Sequence, residues 1–481
     1  MAHPLAVVMI AALFGGSFAL PVGRVFRRSP PSAPAQGGLF FTQILDHFDR
    51  ADGETFQQRY FVNDTFFNGS GPVFLCVGGE GPALDASVLY RSVHCSDATE
   101  LAPRAGALLL ALEHRFYGAS VPVSADRGAE RLKYLSSQQA VSDIAVFVEQ
   151  VNANRSLDEA NKWVAFGGSY PGMVAGFARL KLPHLIHAAV SSSAPWQARV
   201  DMREYNDVVG RSLGLASVGG SAACRDVVVQ GHEAIRQRLA AGDFLSLAET
   251  FDFCNVSALY DAQTRQSWAG YGVIGVPSQE NDPASTSITK NIGLICAALL
   301  ADGGLEDAVS RLARVSRLQR GGCVGADESD DDDAVPAGDD GSDALSWPWQ
   351  TCTEFGFYQT CEVDSQCPFA RGAIGVSDEI GMCATLFDIS AAAVAANVAF
   401  TNAFYGGDAP RATRVLFPNG DVDPWSGLGV LDSPGVEEPV MLVSGASHHA
   451  WTHPADTISQ PSVADAKKQI QDQVLLWLQL D

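Results

Sequence analysis

The stretch Trp163-Val-Ala-Phe-Gly-Gly-Ser-Tyr-Pro-Gly-Met173 carries most of the information about the fold. Four apolar residues run into Gly167-Gly168-Ser169, and small residues follow at Gly172, Ala175, Gly176 and Ala178. The pattern predicts a strand, a tight turn at Ser169 and a helix packed close against that strand. A serine on such a turn projects its hydroxyl from the edge of a sheet, the layout of a nucleophile elbow. Pro171 stands where the second glycine of G-x-S-x-G would be, and Gly172 comes one position later. Proline is tolerated there because a first-turn N–H has no partner within the helix. The plainer alternative is a structural Gly-Ser turn between a strand and a helix.

Around this stretch, short apolar runs alternate with helical patterns. Strands are expected at Pro72–Val77, Ala107–Leu112, Lys162–Phe166, His187–Ser191, Arg414–Phe417 and Pro439–Val443. Runs apolar on both faces belong in a sheet covered on both sides. The expected fold class is therefore α/β, an α/β-hydrolase with a mostly parallel sheet. From about 200 to 345 helical patterns dominate, as in Ala308–Leu318, and strand signals are sparse. That segment is expected to be an inserted helical cap between a first core half (20–199) and a second (346–481).

A serine hydroxyl needs a base to take its proton. After His232 the next histidines are His448, His449 and His453, on a loop that follows the last expected strand. An α/β-hydrolase places its base there, and Ser…Asp…His is that fold's chain order. His-His-x-x-x-His fits no zinc spacing, and no metal or organic cofactor is expected. The orienting acid should lie between serine and histidine, and Asn419-Gly-Asp-Val-Asp-Pro-Trp425 offers both Asp421 and Asp423. Spacing does not choose between them. An oxyanion would need backbone N–H donors. Tyr170 supplies one, and the loop Val77-Gly-Gly-Glu-Gly-Pro82 supplies Gly79 or Glu80.

With these residues in view, the chain resembles the serine peptidase family of lysosomal Pro-Xaa carboxypeptidase, dipeptidyl peptidase II and thymus-specific serine protease. The matching blocks include Phe41–Phe48, Gln58–Phe61, Gly78–Gly81, Glu113–Gly118, Leu135–Ala140, Gly167–Gly172, Trp349–Gln359 and Asn419–Ser426. Ser-Tyr-Pro-Gly and Thr-Cys-Thr-Glu-Phe-Gly look closest to the thymus-specific branch. The resemblance implies Asp423 as the acid, His448 as the base and a helical cap after the strand that follows the nucleophile. It also implies peptide substrates cut beside proline at one chain end, and it permits a homodimer. The loop after His448 departs from the family pattern. Glu113-His114-Arg115 reads more readily as a buried ion-pair network than as a site for a peptide terminus. The rival readings are an esterase or lipase with the same triad and an inactive binding protein of the same fold.

Composition sets the compartment. The net charge of −23 argues against a nucleic-acid partner, which would need clustered Lys and Arg. Nine acidic residues and no basic one lie between Asp327 and Asp343, the expected solvated loop 326–343. Residues 1–19 combine an apolar stretch with Ser17-Phe18-Ala19, as in a cleaved signal peptide, although no Lys or Arg precedes it. A buried N-terminal helix is the alternative. Ten cysteines, and sequons at Asn63, Asn68, Asn154 and Asn255, point to disulfides and glycans in a secretory, lysosomal or extracellular setting. No later stretch is apolar enough for a membrane span.

Overall fold

The computed structural model describes residues 37–51, 53–122, 125–301, 303–325 and 343–479. The expected signal peptide and nearly all of the acidic loop lie outside the described residues. Ten strands are described: β1 (Leu39–Ile44), β2 (Thr55–Asn63), β3 (Val73–Val77), β4 (Leu108–Leu112), β5 (Trp163–Gly168), β6 (Ala188–Ser192), β7 (Arg199–Asp201), β8 (Gly356–Tyr358), β9 (Val415–Gly420) and β10 (Val440–Val443). Eight form one sheet in the order β1-β2-β4-β3-β5-β6-β9-β10, while β7 and β8 pair separately. From β4 to β10 every pairing in the large sheet is parallel, and β1 and β2 add an antiparallel edge. This mostly parallel sheet defines the fold as α/β.

The sheet is covered on both faces, which is why its central strands read as continuous apolar runs. Val73, Leu75, Leu108, Leu110, Trp163 and Ala165 face helices α2 (Ser137–Arg155) and α3 (Tyr170–Lys181). The alternate residues Phe74, Cys76, Leu109, Val164 and Phe166 share a core with α1 (Ser96–Ala105) and the C-terminal helix Pro461–Leu478. The N-terminus of α2 is closed from far along the chain, because the buried Glu354 carboxylate accepts the Ser137 N–H (2.9 Å) and hydroxyl (2.5 Å). An acid at that end also satisfies the helix dipole.

Between β7 and β8 lie helices α4 (Arg203–Ser212), α5 (Ala222–Ala240), α6 (Phe244–Thr250), α7 (Ala262–Gly270), α8 (Ile292–Leu300) and α9 (Ala308–Gln319). Their buried Val228, Ile235, Leu247, Phe251, Ile295, Leu299 and Leu312 form a core of their own. All ten cysteines are paired: Cys76–Cys95, Cys224–Cys296, Cys254–Cys323, Cys352–Cys383 and Cys361–Cys367.

The Glu113-His114-Arg115 run continues β4 into the interior. Arg115, fully buried, donates to Asp143 through Nε (2.8 Å) and Nη2 (2.6 Å) and to the carbonyls of Ile44, Leu45 and Tyr134. His47 also meets Asp143 at 2.8 Å. Burial alone would raise the Asp143 carboxyl, but Arg115 and His47 together hold it below the usual carboxylate range. The ionised pair therefore contributes stability above the unfolded carboxylate pKa of about 3.9, and loses it only as pH falls through the lower folded value. It persists at mildly acidic pH. Asp143→Ala leaves Arg115 buried without its partner and is expected to cost about 3–5 kcal/mol. Thermal unfolding against the wild type at pH 5 and pH 7, taken as round values either side of the histidine range, should show a large drop at both.

Candidate active site

Ser169 joins β5 to α3 with φ 66° and ψ −135°. A non-glycine residue held there costs about 1–3 kcal/mol, and such strain clusters at functional sites. Its N–H donates to the Ser192 carbonyl at 2.9 Å and its carbonyl accepts the Met173 N–H at 3.0 Å, which fixes the turn. A Cβ on Gly167 would stand 2.2 Å from the Pro171 carbonyl oxygen, so only glycine fits beneath the turn. Pro171, the departure from G-x-S-x-G, forms the floor of the neighbouring loop. A Cβ on Gly79 would lie 2.3 Å from its ring.

Asp423 and His448 come from loops after β9 and β10, which are adjacent parallel strands. Asp423 is fully buried; its Oδ2 lies 2.9 Å from His448 Nδ1, and its Oδ1 accepts the Trp425 N–H at 3.0 Å. Asp421, equally admissible by spacing, instead accepts the Gly445 N–H at 2.7 Å and ties the two loops together. The next ring, His449, lies 4.5 Å from that of His448 and sits over Gly168, where a Cβ would be 2.9 Å away. Its N–H donates to Ser193 Oγ at 2.8 Å. The histidine loop thus lies against the Ser169 turn.

Behind the turn, Tyr170 is buried and its hydroxyl donates to His114 Nε2 at 2.8 Å. His114 Nδ1 donates to the Arg115 carbonyl at 2.7 Å, which sets the tautomer. Burial pushes His114 down to about 4, so it stays neutral at mildly acidic pH. Glu113 accepts the N–H groups of Leu84 and Ala119 and pairs with Arg59. The Glu-His-Arg run therefore braces the Gly78–Pro82 loop and the elbow from within. Glu80, half-buried on that loop, interacts electrostatically with His448; desolvation pushes its carboxyl up to about 7, with His448 acting in the opposite sense.

Two features were not visible in the sequence. An aromatic row links the elbow to the acid loop: Tyr170 to Phe355 (5.6 Å between centroids), Phe355 stacked on Phe357 (5.6 Å), and Phe357 to Trp425 (5.6 Å). Gln279, between α7 and α8, accepts the His448 N–H on its carbonyl at 3.0 Å. Of the four sequons, Asn68, Asn154 and Asn255 are exposed. Asn63 departs from the expectation: it is buried and its Nδ2 donates to the Leu89 carbonyl at 2.9 Å, so a glycan would have to displace that amide. No single helix among the described residues is long and apolar enough to cross a membrane.

A mostly parallel sheet with a strained serine after a central strand, and an Asp–His pair after its last two strands, defines an α/β-hydrolase. The family model described as serine carboxypeptidase S28 matches residues 43–470, and the chain belongs to that family of serine peptidases. It is 36% identical over 483 residues to thymus-specific serine protease of Mus musculus, covering 97% of this chain and 92% of that protein. Lysosomal Pro-X carboxypeptidase of Homo sapiens is 25% identical over 479 residues, with 94% and 90% covered. Among solved structures, proline iminopeptidase of Mycobacterium smegmatis aligns with TM-score 0.36 at 11% identity, covering 92% of this chain and 99% of that one.

Proposed function

We propose that this serine peptidase cleaves short peptides beside proline at one chain end, through an acyl-enzyme on Ser169. The observation that carries the reading is the buried Asp423–His448 pair set against the strained Ser169 turn. His448 takes the Ser169 Oγ proton as the oxygen attacks the carbonyl, then delivers that proton to the leaving amine. Water, activated by the same imidazole, hydrolyses the ester and regenerates the serine. Asp423 fixes the tautomer and stabilises the imidazolium. Ser169 Oγ and the imidazole make no direct hydrogen bond among the described residues, as is common before substrate closes such a site. The tetrahedral oxyanion is held by the N–H of Tyr170, an unpaired first-turn donor, and by that of Gly79. The Glu80 N–H, one residue on in the same loop, is the alternative second donor.

The proline preference is supported by the relative whose name specifies Pro-X carboxypeptidase. The helices between 200 and 345 act as a cap limiting entry to chain ends. Five disulfides support passage through an oxidising compartment and a lysosomal or secreted destination.

The test is hydrolysis of two peptides, an Xaa-Pro dipeptide carrying a leaving-group reporter and an amino-blocked peptide ending in Pro-Phe, with Ser169→Ala alongside. Cleavage of one by the wild type alone identifies the terminus that is read. Cleavage of neither, by a protein that still hydrolyses other peptides, would remove the proline preference. A pH profile gives a second check. The charged and titratable groups that face His448 and its acid are Asp423, Glu80, His449 and Tyr205, and Glu280 acts in turn on Tyr205. Glu80, raised to about 7, is mostly protonated below that value and ionises above it, so Glu80→Gln should leave kcat/KM on the acid side nearly unchanged and alter it only where the carboxylate would be ionised. A change confined to the acid side would mean that the carboxyl stays ionised there.

A further inference from the structure

Gln279 touches both catalytic loops from outside the sheet. Its backbone carbonyl accepts the His448 N–H at 3.0 Å. Its side-chain Oε1 accepts two further donors, Trp425 Nε1 at 3.0 Å and the Tyr205 hydroxyl at 2.9 Å. Trp425 is the residue whose backbone N–H holds Asp423 Oδ1, and Tyr205 packs edge-on against the Trp425 ring at 5.5 Å. One side-chain oxygen therefore fixes the indole of the acid loop, while the main chain of the same residue fixes the base loop.

The segment that carries Gln279 is itself anchored on both sides. The buried Ser278 bonds through its hydroxyl to Ser212 of α4 at 2.7 Å. The buried Asn281 accepts the first N–H of α8, that of Ile292, at 2.8 Å. The helical segment thus presents Gln279 from a fixed support rather than from a free loop.

Resting on the reading of Ser169, His448 and Asp423 given above, we infer that Gln279 is a positioning residue, through which the helical segment holds the acid and base loops in mutual register. Its hydrogen bonds go to Trp425, Tyr205 and the His448 backbone, and none goes to the Ser169 hydroxyl or the imidazole. Its effect falls on the geometry of proton transfer, where a displacement of about 1 Å costs on the order of 100-fold.

The experiment compares wild type, Gln279→Met and Gln279→Glu on the peptide substrate that the wild type cleaves, with active enzyme counted by fluorophosphonate titration and folding followed by Tm. Methionine keeps the length and removes the acceptor, whereas glutamate keeps an oxygen for the same two donors. The expected result is a kcat lowered roughly 10- to 100-fold in Gln279→Met. KM should be little changed, the rate of fluorophosphonate labelling should fall by the same factor, and Gln279→Glu should recover most of the loss. A Gln279→Met enzyme with wild-type kcat and labelling rate overturns the inference. So does a Gln279→Glu enzyme as impaired as Gln279→Met at an unchanged Tm, since that would assign the loss to packing. If Gln279→Met does not fold, Tyr205→Phe removes one of the two donors and should lower kcat in the same direction; an unchanged kcat there also overturns it. A wild type that neither cleaves peptides nor takes the label marks instead the failure of the Ser169 reading, on which the inference rests.

Discussion

Replacing Ser169 by alanine is expected to lower kcat by on the order of 10^4- to 10^6-fold while leaving KM and Tm close to the wild-type values. On the proposed mechanism the substitution removes the atom that would form the covalent bond, and it disturbs little else. Backbone bonds from Ser169 to Ser192 and Met173 hold the turn, and alanine keeps both. The strain at φ 66° comes from the Cβ, which alanine keeps, so stability should change little. The residual rate would come from the oxyanion donors and from substrate positioning, which alanine leaves in place. Steady-state kinetics on the cleaved peptide, with Tm as the folding control, checks each part. A modest loss of about tenfold would mean that another group supplies the nucleophile.

Asp423→Asn is expected to lower kcat by about 10^4-fold with little change in fold. Asparagine can still accept the Trp425 N–H now held by Oδ1. Opposite His448 it can present an amide, which would turn the imidazole toward the tautomer with its proton on the wrong nitrogen. The carboxylate is fully buried, and in the proposed mechanism its charge would stabilise the imidazolium formed during attack. Asp421→Asn is the matched comparison, because that side chain binds Gly445 and not the imidazole. It should lose far less activity. Equal losses at the two positions would show that the carboxylates serve the loops rather than the base.

The sequence was most legible where one physical demand dominated. The runs at Val73–Val77 and Leu108–Leu112 are fully buried, so they contain no polar residue and announce themselves as strands. The strands β1 and β2 were not recognised. They form the edge and alternate exposed with buried positions, and Gln43 and Gln58 occupy buried ones, bonded to each other at 3.0 Å. The elbow was legible because no other residues fit under Pro171. The choice between Asp421 and Asp423 was not legible from spacing, since two residues apart on one turn they differ only in direction. The family resemblance favoured Asp423, and the structure sets that residue against His448. Gln279 lay beyond local reasoning altogether, because its bond to Trp425 spans 146 positions. The buried setting of the Asn63 sequon was out of reach for a related reason. A three-residue motif carries no information about whether its amide is engaged by a distant carbonyl.

The site of covalent capture decides whether Ser169 is the nucleophile. The folded, disulfide-intact protein would be treated with a fluorophosphonate, and its mass and peptide map compared with those of Ser169→Ala. A single adduct is expected on the peptide containing Ser169, formed stoichiometrically and absent from the variant. An adduct elsewhere, or none on a protein of normal Tm, would contradict that role for Ser169.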